Sequence, residues 1–138
     1  MLRVSEDELE FRGDKRFLFG APFSGVGFAL YPNGQLSMET PYVDGWAEGL
    51  CREWHENGQL ASERVVSRGR SNGHYLEWRQ TGEIKVRAKY ELGIELEYNE
   101  WSETGELITS RKMDPTAPNS QYPILVKFRQ IYGAEANS

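Results

Sequence analysis

The sequence predicts a mainly β fold, a single-layer antiparallel sheet of about four successive hairpins, and three observations carry that reading. First, Leu30-Tyr31-Pro32-Asn33-Gly34-Gln35-Leu36 recurs as Trp54-His55-Glu56-Asn57-Gly58-Gln59-Leu60, as Trp78-Arg79-Gln80-Thr81-Gly82-Glu83-Ile84 and as Trp101-Ser102-Glu103-Thr104-Gly105-Glu106-Leu107. The central glycines are 24, 24 and 23 residues apart, a period that signals a stacked array. Second, two more glycine columns keep the same period: Gly25, Gly49, Gly73, and Gly45, Gly69, Gly93. Glycine at fixed positions marks turns or close backbone approach. Third, the stretches between the glycines alternate with period two, the spacing of strands.

Residues 1–22 form the first element. Glu8-Leu9-Glu10-Phe11 and Arg16-Phe17-Leu18-Phe19 flank Gly13-Asp14, which suggests a hairpin acting as an N-terminal cap over the sheet edge. Residues 23–113 hold the array, with two strands and two turns per unit. Asn33-Gly34 and Asn57-Gly58 are the favoured pair for a two-residue hairpin turn, and Thr81-Gly82 and Thr104-Gly105 are weaker versions. Leu96 stands where the last unit should have its entry glycine.

Counting by twos from the central glycines puts Leu30, Trp54, Trp78 and Trp101 on one face with Leu36, Leu60, Ile84 and Leu107, and with Tyr42, Val66, Tyr90 and Met113. These columns are the expected core, with the aromatics stacking between units. The opposite, wetter face is then expected to carry Ala29, Glu53, Glu77, Glu100 and also Glu39, Glu63, Arg87, Ser110. Tyr75 and Tyr98 share a column there with Cys51, beside Tyr31 and His55. Residues 114–138 are a proline-rich connector and a C-terminal cap. Leu125, Phe128, Ile131 and Tyr132 follow helical spacing, Asn119 or Ser120 can cap, and Pro123 suits a first turn. A short helix is expected over a strand. The whole of 1–138 reads as one domain.

Composition narrows the function. A mean hydropathy of -0.65 leaves little apolar material for a thick core. The net charge of -5 disfavours nucleic acid and anionic membrane surfaces, since both demand a basic footprint. A protein partner with a basic or neutral surface fits better. Cys51 is the single cysteine and the start Met1-Leu2-Arg3-Val4 has no signal-peptide run, so a cytoplasmic location is expected.

No constellation satisfies the demands of chemistry, and neither a cofactor nor a metal is expected. Cys51 and His55, if on one strand, have Cα atoms about 13 Å apart, beyond the reach of a nucleophile pair. His74 has no companion at ligand spacing. The glutamates of successive units lie roughly 10 Å apart, which suits a solvated acidic face that steers a basic partner. Trp46, after Gly45, is a candidate interface anchor. The candidate partner-binding residues are therefore Tyr31, Trp46, Glu53, His55, Tyr75, Glu77, Tyr98 and Glu100.

The pattern Gly-x4-Trp-x3-Gly-Gln-Leu, a further glycine eleven residues on, and the lead-in Pro22-Phe23-Ser24-Gly25 resemble the MORN-repeat variant of bacterial YwqK-like antitoxins, from about Glu8 to Met113. The resemblance implies successive hairpins in one antiparallel sheet and a non-catalytic antitoxin or immunity role, in which the protein binds and neutralises a toxin. The alternative it implies is a lipid- or membrane-associated scaffold. Self-association through the sheet edge is also an expectation.

Overall fold

Positive φ recurs at all three glycine columns and creates two different turns. The computed structural model, which describes residues 1–136, places φ of 49° and 87° at Asp44-Gly45, 48° and 78° at Arg68-Gly69, and 50° and 83° at Leu92-Gly93. Their flanking residues pair directly as Val43↔Trp46, Ser67↔Arg70 and Glu91↔Ile94. Two successive positive φ values in a two-residue loop are the requirement of a type I′ turn, whose twist matches that of the strands.

The Asn-Gly and Thr-Gly segments are instead longer turns, which corrects the two-residue expectation. Tyr31 N–H donates to Gln35 O and Gly34 N–H to Tyr31 O, both at 2.8 Å, and the same pair of bonds recurs in the other three units. This is a three-residue loop whose last member, Gly34 at φ 88°, takes the left-handed conformation. The asparagine serves as a local acceptor: Asn33 Oδ1 takes Gln35 N–H at 2.9 Å and Asn57 Oδ1 takes Gln59 N–H at 3.0 Å.

In chain order the strands are β1 (Arg3–Ser5), then a 3-10 turn Glu6–Glu8, β2 (Glu10–Arg12), β3 (Lys15–Leu18), β4 (Ala21–Pro22), β5 (Gly25–Leu30), β6 (Leu36–Val43), β7 (Trp46–Ala47), β8 (Gly49–Trp54), β9 (Leu60–Ser67), β10 (Arg70–Trp78), β11 (Ile84–Glu91), β12 (Ile94–Trp101) and β13 (Leu107–Lys112). Helix α1 (Tyr122–Ala136) ends the described chain. The main sheet runs β1-β5-β6-β8-β9-β10-β11-β12-β13, with β7 beside β6. Four antiparallel hairpins therefore lie in sequence order, as the repeat period requires.

Both ends differ in part from expectation. The N-terminal hairpin exists, with Glu10↔Phe17 and Arg12↔Lys15 paired around Gly13, yet β2, β3 and β4 form a separate sheet. The array's first edge is covered by β1, parallel to β5. The cap is tied to the first type I′ turn by two backbone bonds through Gly45, Arg16 N–H to Gly45 O and Gly45 N–H to Phe23 O, while Phe23 N–H donates to Arg16 O beside them. Beneath it Val4, Phe23 and Tyr42 form a buried cluster. Tyr42 donates to Glu6 Oε1 at 2.7 Å, and burial first, then that bond, push its phenol to about 12. At the other end α1 is a helix as expected, with Ser120 Oγ accepting from Tyr122 N–H. Its Leu125 is buried against Leu92 and Ile94, with Leu96, Met113, Tyr122, Phe128 and Tyr132 around them. Ile131, expected on that face, is 59% exposed.

The face assignment needs the largest correction. In every hairpin one residue after the three-residue turn is left out of the pairing: Ala29↔Met38 is followed by Leu30↔Leu36, Glu53↔Ser62 by Trp54↔Leu60, Glu77↔Val86 by Trp78↔Ile84, and Glu100↔Thr109 by Trp101↔Leu107. A bulge of one residue reverses the parity of everything beyond it. Glu53, Glu77 and Glu100 consequently share a face with Tyr42, Val66 and the buried Val86 and Ala88, and Glu39, Glu63 and Arg87 lie on the other. Nor do the tryptophans stack on one another. Among the described residues the ring pairs are Phe23–Tyr42, Tyr75–Tyr90 and Phe128–Tyr132, because an intervening strand separates equivalent positions of successive units.

The Glu39 face is laced by ion pairs: Arg3–Glu39 at 2.5 Å, Arg52–Glu63 at 3.1 Å and His74–Glu63 at 2.9 Å. Burial raises the Glu63 pKa, and the bonds from His74 and Arg52 more than offset it, leaving the carboxyl below its ordinary value. A depressed folded-state value contributes stability that is complete above the unfolded-state pKa of about 4.3 and is lost as pH falls through the folded one. Glu63→Gln is therefore expected to flatten the stability curve below about pH 5 and leave its shape above unchanged. Urea midpoints measured across that window check it, and curves of identical slope for both proteins would refute it.

Candidate functional site

Two backbone rims frame the acidic face, and each is held by a repeated device that the sequence conceals. At the three-residue turns, the residue after each Leu or Trp reaches across to the next unit's tryptophan carbonyl. Tyr31 Oη donates to Trp54 O, His55 Nε2 bonds Trp78 O at 2.8 Å, and Arg79 Nη2 donates to Trp101 O at 2.9 Å. In the last unit Ser102 turns back on its own loop, accepting from Thr104 and Glu106 N–H. At the type I′ turns, Ser24, Glu48 and Asn72 accept from the backbone N–H of Asp44, Arg68 and Leu92 at 2.9, 2.7 and 3.0 Å. Different side chains perform one task at a 24-residue interval, so no residue-type column betrays it.

Between the rims the acidic face is ordered by register. One row runs Met38, Glu53, Ser62, Glu77, Val86 and Glu100, and the next runs Cys51, Arg64, Tyr75, Ala88, Tyr98 and Arg111. At the three-residue-turn side this surface folds into a groove of about 880 Å³, to which Tyr31, Glu53, His55, Tyr75 and Glu77 all contribute. Five of the eight residues picked out from the sequence thus meet in one place. Cross-strand neighbours of Glu53 are Met38 and Ser62, and those of Glu77 are Ser62 and Val86, none of them cationic. Burial first, then the charges of Glu77 and Glu53, raise the Tyr75 phenol above its ordinary value, so both carboxylates project negative potential onto the groove wall. Arg79 and Lys85 also line the groove.

The remaining candidates are placed differently. Tyr98 and Glu100 extend the same rows one unit further, and Tyr98 donates to Glu100 Oε1 at 2.8 Å. That bond first, and burial second, push the Tyr98 phenol to about 12. Arg111 lies over its ring at 4.1 Å. Trp46 is apart from all of them, in the first type I′ turn at the opposite rim, with the Lys15 ammonium 5.3 Å from its ring centroid. Tyr31 and His55 line the groove, yet their polar atoms are engaged by Trp54 and Trp78 carbonyls. Arg79, expected from the sequence as a neighbour of the acidic column, also lines the groove, and Lys85 is the contributor that was missed.

Nothing in the groove assembles a nucleophile. Cys51 is buried, burial raises its thiol above the ordinary value with Arg64 opposing, and His55 bonds a carbonyl. Among the described residues no group of three or more His, Cys, Asp or Glu could hold a metal ion, and no helix is long and apolar enough to cross a membrane.

The family model described as MORN repeat variant matches residues 24–44 and 47–65, the first hairpin and most of the second. Repeats of this family are generally protein- or membrane-binding modules without enzymatic activity. No curated protein and no solved structure matches the chain.

Proposed function

We propose that this chain is a non-catalytic protein-binding module, and in its most specific form an antitoxin or immunity protein that neutralises a toxin bearing a basic surface, in the cytoplasm. The observation that supports it is the groove itself: Glu53 and Glu77, without cationic cross-strand neighbours, flank an amphipathic Tyr75 in a preformed recess. Tyrosine supplies broad contact area at little entropic loss, and carboxylates without a direct cationic partner across the strand steer and select a basic partner. Glu100 and Tyr98 prolong the same surface, which suits an extended or convex contact.

The test is the triple reversal Glu53→Lys, Glu77→Lys and Glu100→Lys, beside the neutral Glu→Gln triple, in affinity capture from the native cell. A protein retained by the parent chain is expected to be held at least tenfold more weakly by the reversal, about 1.4 kcal/mol or more, with the neutral variant between. Equal retention by folded variants removes this face. Binding of the parent chain to anionic liposomes, with no captured protein, favours the membrane scaffold instead.

A further inference from the structure

The face opposite the acidic groove carries an apolar row that neither cap covers. In each unit the Leu or Trp that leads into the three-residue turn pairs with the Leu or Ile that follows it: Leu30↔Leu36, Trp54↔Leu60, Trp78↔Ile84 and Trp101↔Leu107. Trp54 and Trp78 directly follow Glu53 and Glu77 in their strands, so alternation turns them to the other side. The four hairpins are joined side by side through Glu39↔Arg52, Glu63↔Leu76 and Arg87↔Asn99, which sets the pairs in one line across the array. Strands about 4.8 Å apart make that line about 34 Å long. Leu30 and Leu107 at its ends are 53% and 55% exposed, and no residue of the row between them is buried. Among the described residues the two buried clusters gather at the type I′ rim, around Tyr42 and around Leu92, and include no member of the row. A continuous apolar band left open to water marks a contact surface.

The width of the band decides what fits it. The next row on the same face, toward the type I′ rim, holds Glu39, Arg52, Glu63 and Arg87, alternating in sign, with Arg52 and Glu63 paired at 3.1 Å. A second sheet stacked on this face would bury those charges, at a cost that their mutual attraction does not return. Contact confined to the band, about 34 Å by 10 Å on each of two copies, would bury only on the order of 700 Å² in total, below the roughly 1,200 Å² at which stable interfaces begin. A single α-helix is about 10 Å across and presents an apolar stripe along one side. At about 1.5 Å per residue, roughly 22 residues cover the band from end to end, and polar residues of both signs beside the stripe meet the alternating row.

We propose that this band docks an amphipathic helix of a partner protein, about six turns long, laid across the strands with its apolar stripe on the tryptophan row. The band lies on the opposite face from the acidic groove, and neither surface needs the other. Titration of the full chain with a designed peptide of about 22 residues, carrying Leu at helical spacing among Lys and Glu, tests it. A peptide of half that length and a scrambled one of equal composition are the controls, and tryptophan fluorescence and peptide helicity are the readouts. Saturable binding of the full peptide is expected, with both controls at least tenfold weaker. Leu60→Glu and Ile84→Glu are each expected to weaken the full peptide at least tenfold, while Glu53→Gln with Glu77→Gln in the acidic groove leaves it within about twofold. Should either central variant fail to fold, Leu30→Glu and Leu107→Glu at the half-exposed ends decide by the same measure. No saturable binding, a control peptide held as tightly as the full one, or binding indifferent to the row variants would overturn the proposal. So would a dimer in sedimentation that the row variants disperse, which gives the band to a second copy, or binding of phosphatidylcholine vesicles in place of the peptide, which gives it to lipid.

Discussion

Gly25→Ala is expected to destabilise the protein by about 3 kcal/mol, whereas Gly34→Ala costs about 1 kcal/mol. Both glycines lie at positive φ, 149° and 88°, so conformational strain alone does not separate them. Surroundings do. A Cβ on Gly25 would stand 2.4 Å from Leu2 O and 2.8 Å from Phe23 Cζ, whereas one on Gly34 meets nothing within 4 Å. Leu2 O is the acceptor for Val26 N–H at 2.8 Å, the bond that seats β1 against β5, and Phe23 is 2% exposed in the N-terminal cluster. Relief must therefore displace backbone or a packed ring, and β1 would be shed from the edge it covers. The thermal midpoint is expected to fall by on the order of 10 °C for Gly25→Ala and by a few degrees for Gly34→Ala. Faster hydrogen exchange at the Val26 amide should accompany the first alone. Equal losses in the two variants would show that β1 is not packed as described.

That contrast also shows how far a sequence can be read. The glycine columns located every turn of the array because left-handed backbone leaves a residue-type signature. They could not say which column made which turn. Arg68 and Leu92 hold φ near +50° with side chains unsuited to it, their N–H groups satisfied by Glu48 and Asn72, so two of the three type I′ turns carry only half their usual signal, whereas Asp44-Gly45 is a favoured pair for that turn. The copy of that turn at Phe19-Gly20, φ 50° and 82°, escaped notice for the same reason. Bulges were invisible too, since an extra residue such as Ala61 or Lys85 has no composition of its own, and strict alternation carried across it reversed the faces. The acidic column and its tyrosines were nevertheless assigned together, because Glu53, Tyr75 and Glu77 all lie on strand segments ahead of the bulge. Trp46 was separated from them by a distance that only the strand order reveals.

Leu125→Ala is expected to cost about 3 kcal/mol, and Ile131→Ala at most roughly 0.5 kcal/mol, although both remove apolar volume from the same helix. Leu125 is 1% exposed among Leu92 and Ile94, and Ile131 is 59% exposed. Further ties between α1 and the sheet are Arg129 to Glu91 at 2.6 and 2.8 Å, an exposed pair of the kind that water and salt weaken, and the Arg70 guanidinium over the Tyr132 and Phe128 rings. Docking of the helix therefore rests chiefly on the buried apolar contacts of Leu125. The hairpins from β5 to β11 pair without it, so the helix is expected to detach in Leu125→Ala before the sheet opens. In urea the helical circular dichroism should then be lost ahead of the tryptophan fluorescence change reporting on the array, while the parent chain loses both closer together. A variant indistinguishable from Ile131→Ala would mean that Leu125 does not anchor the helix.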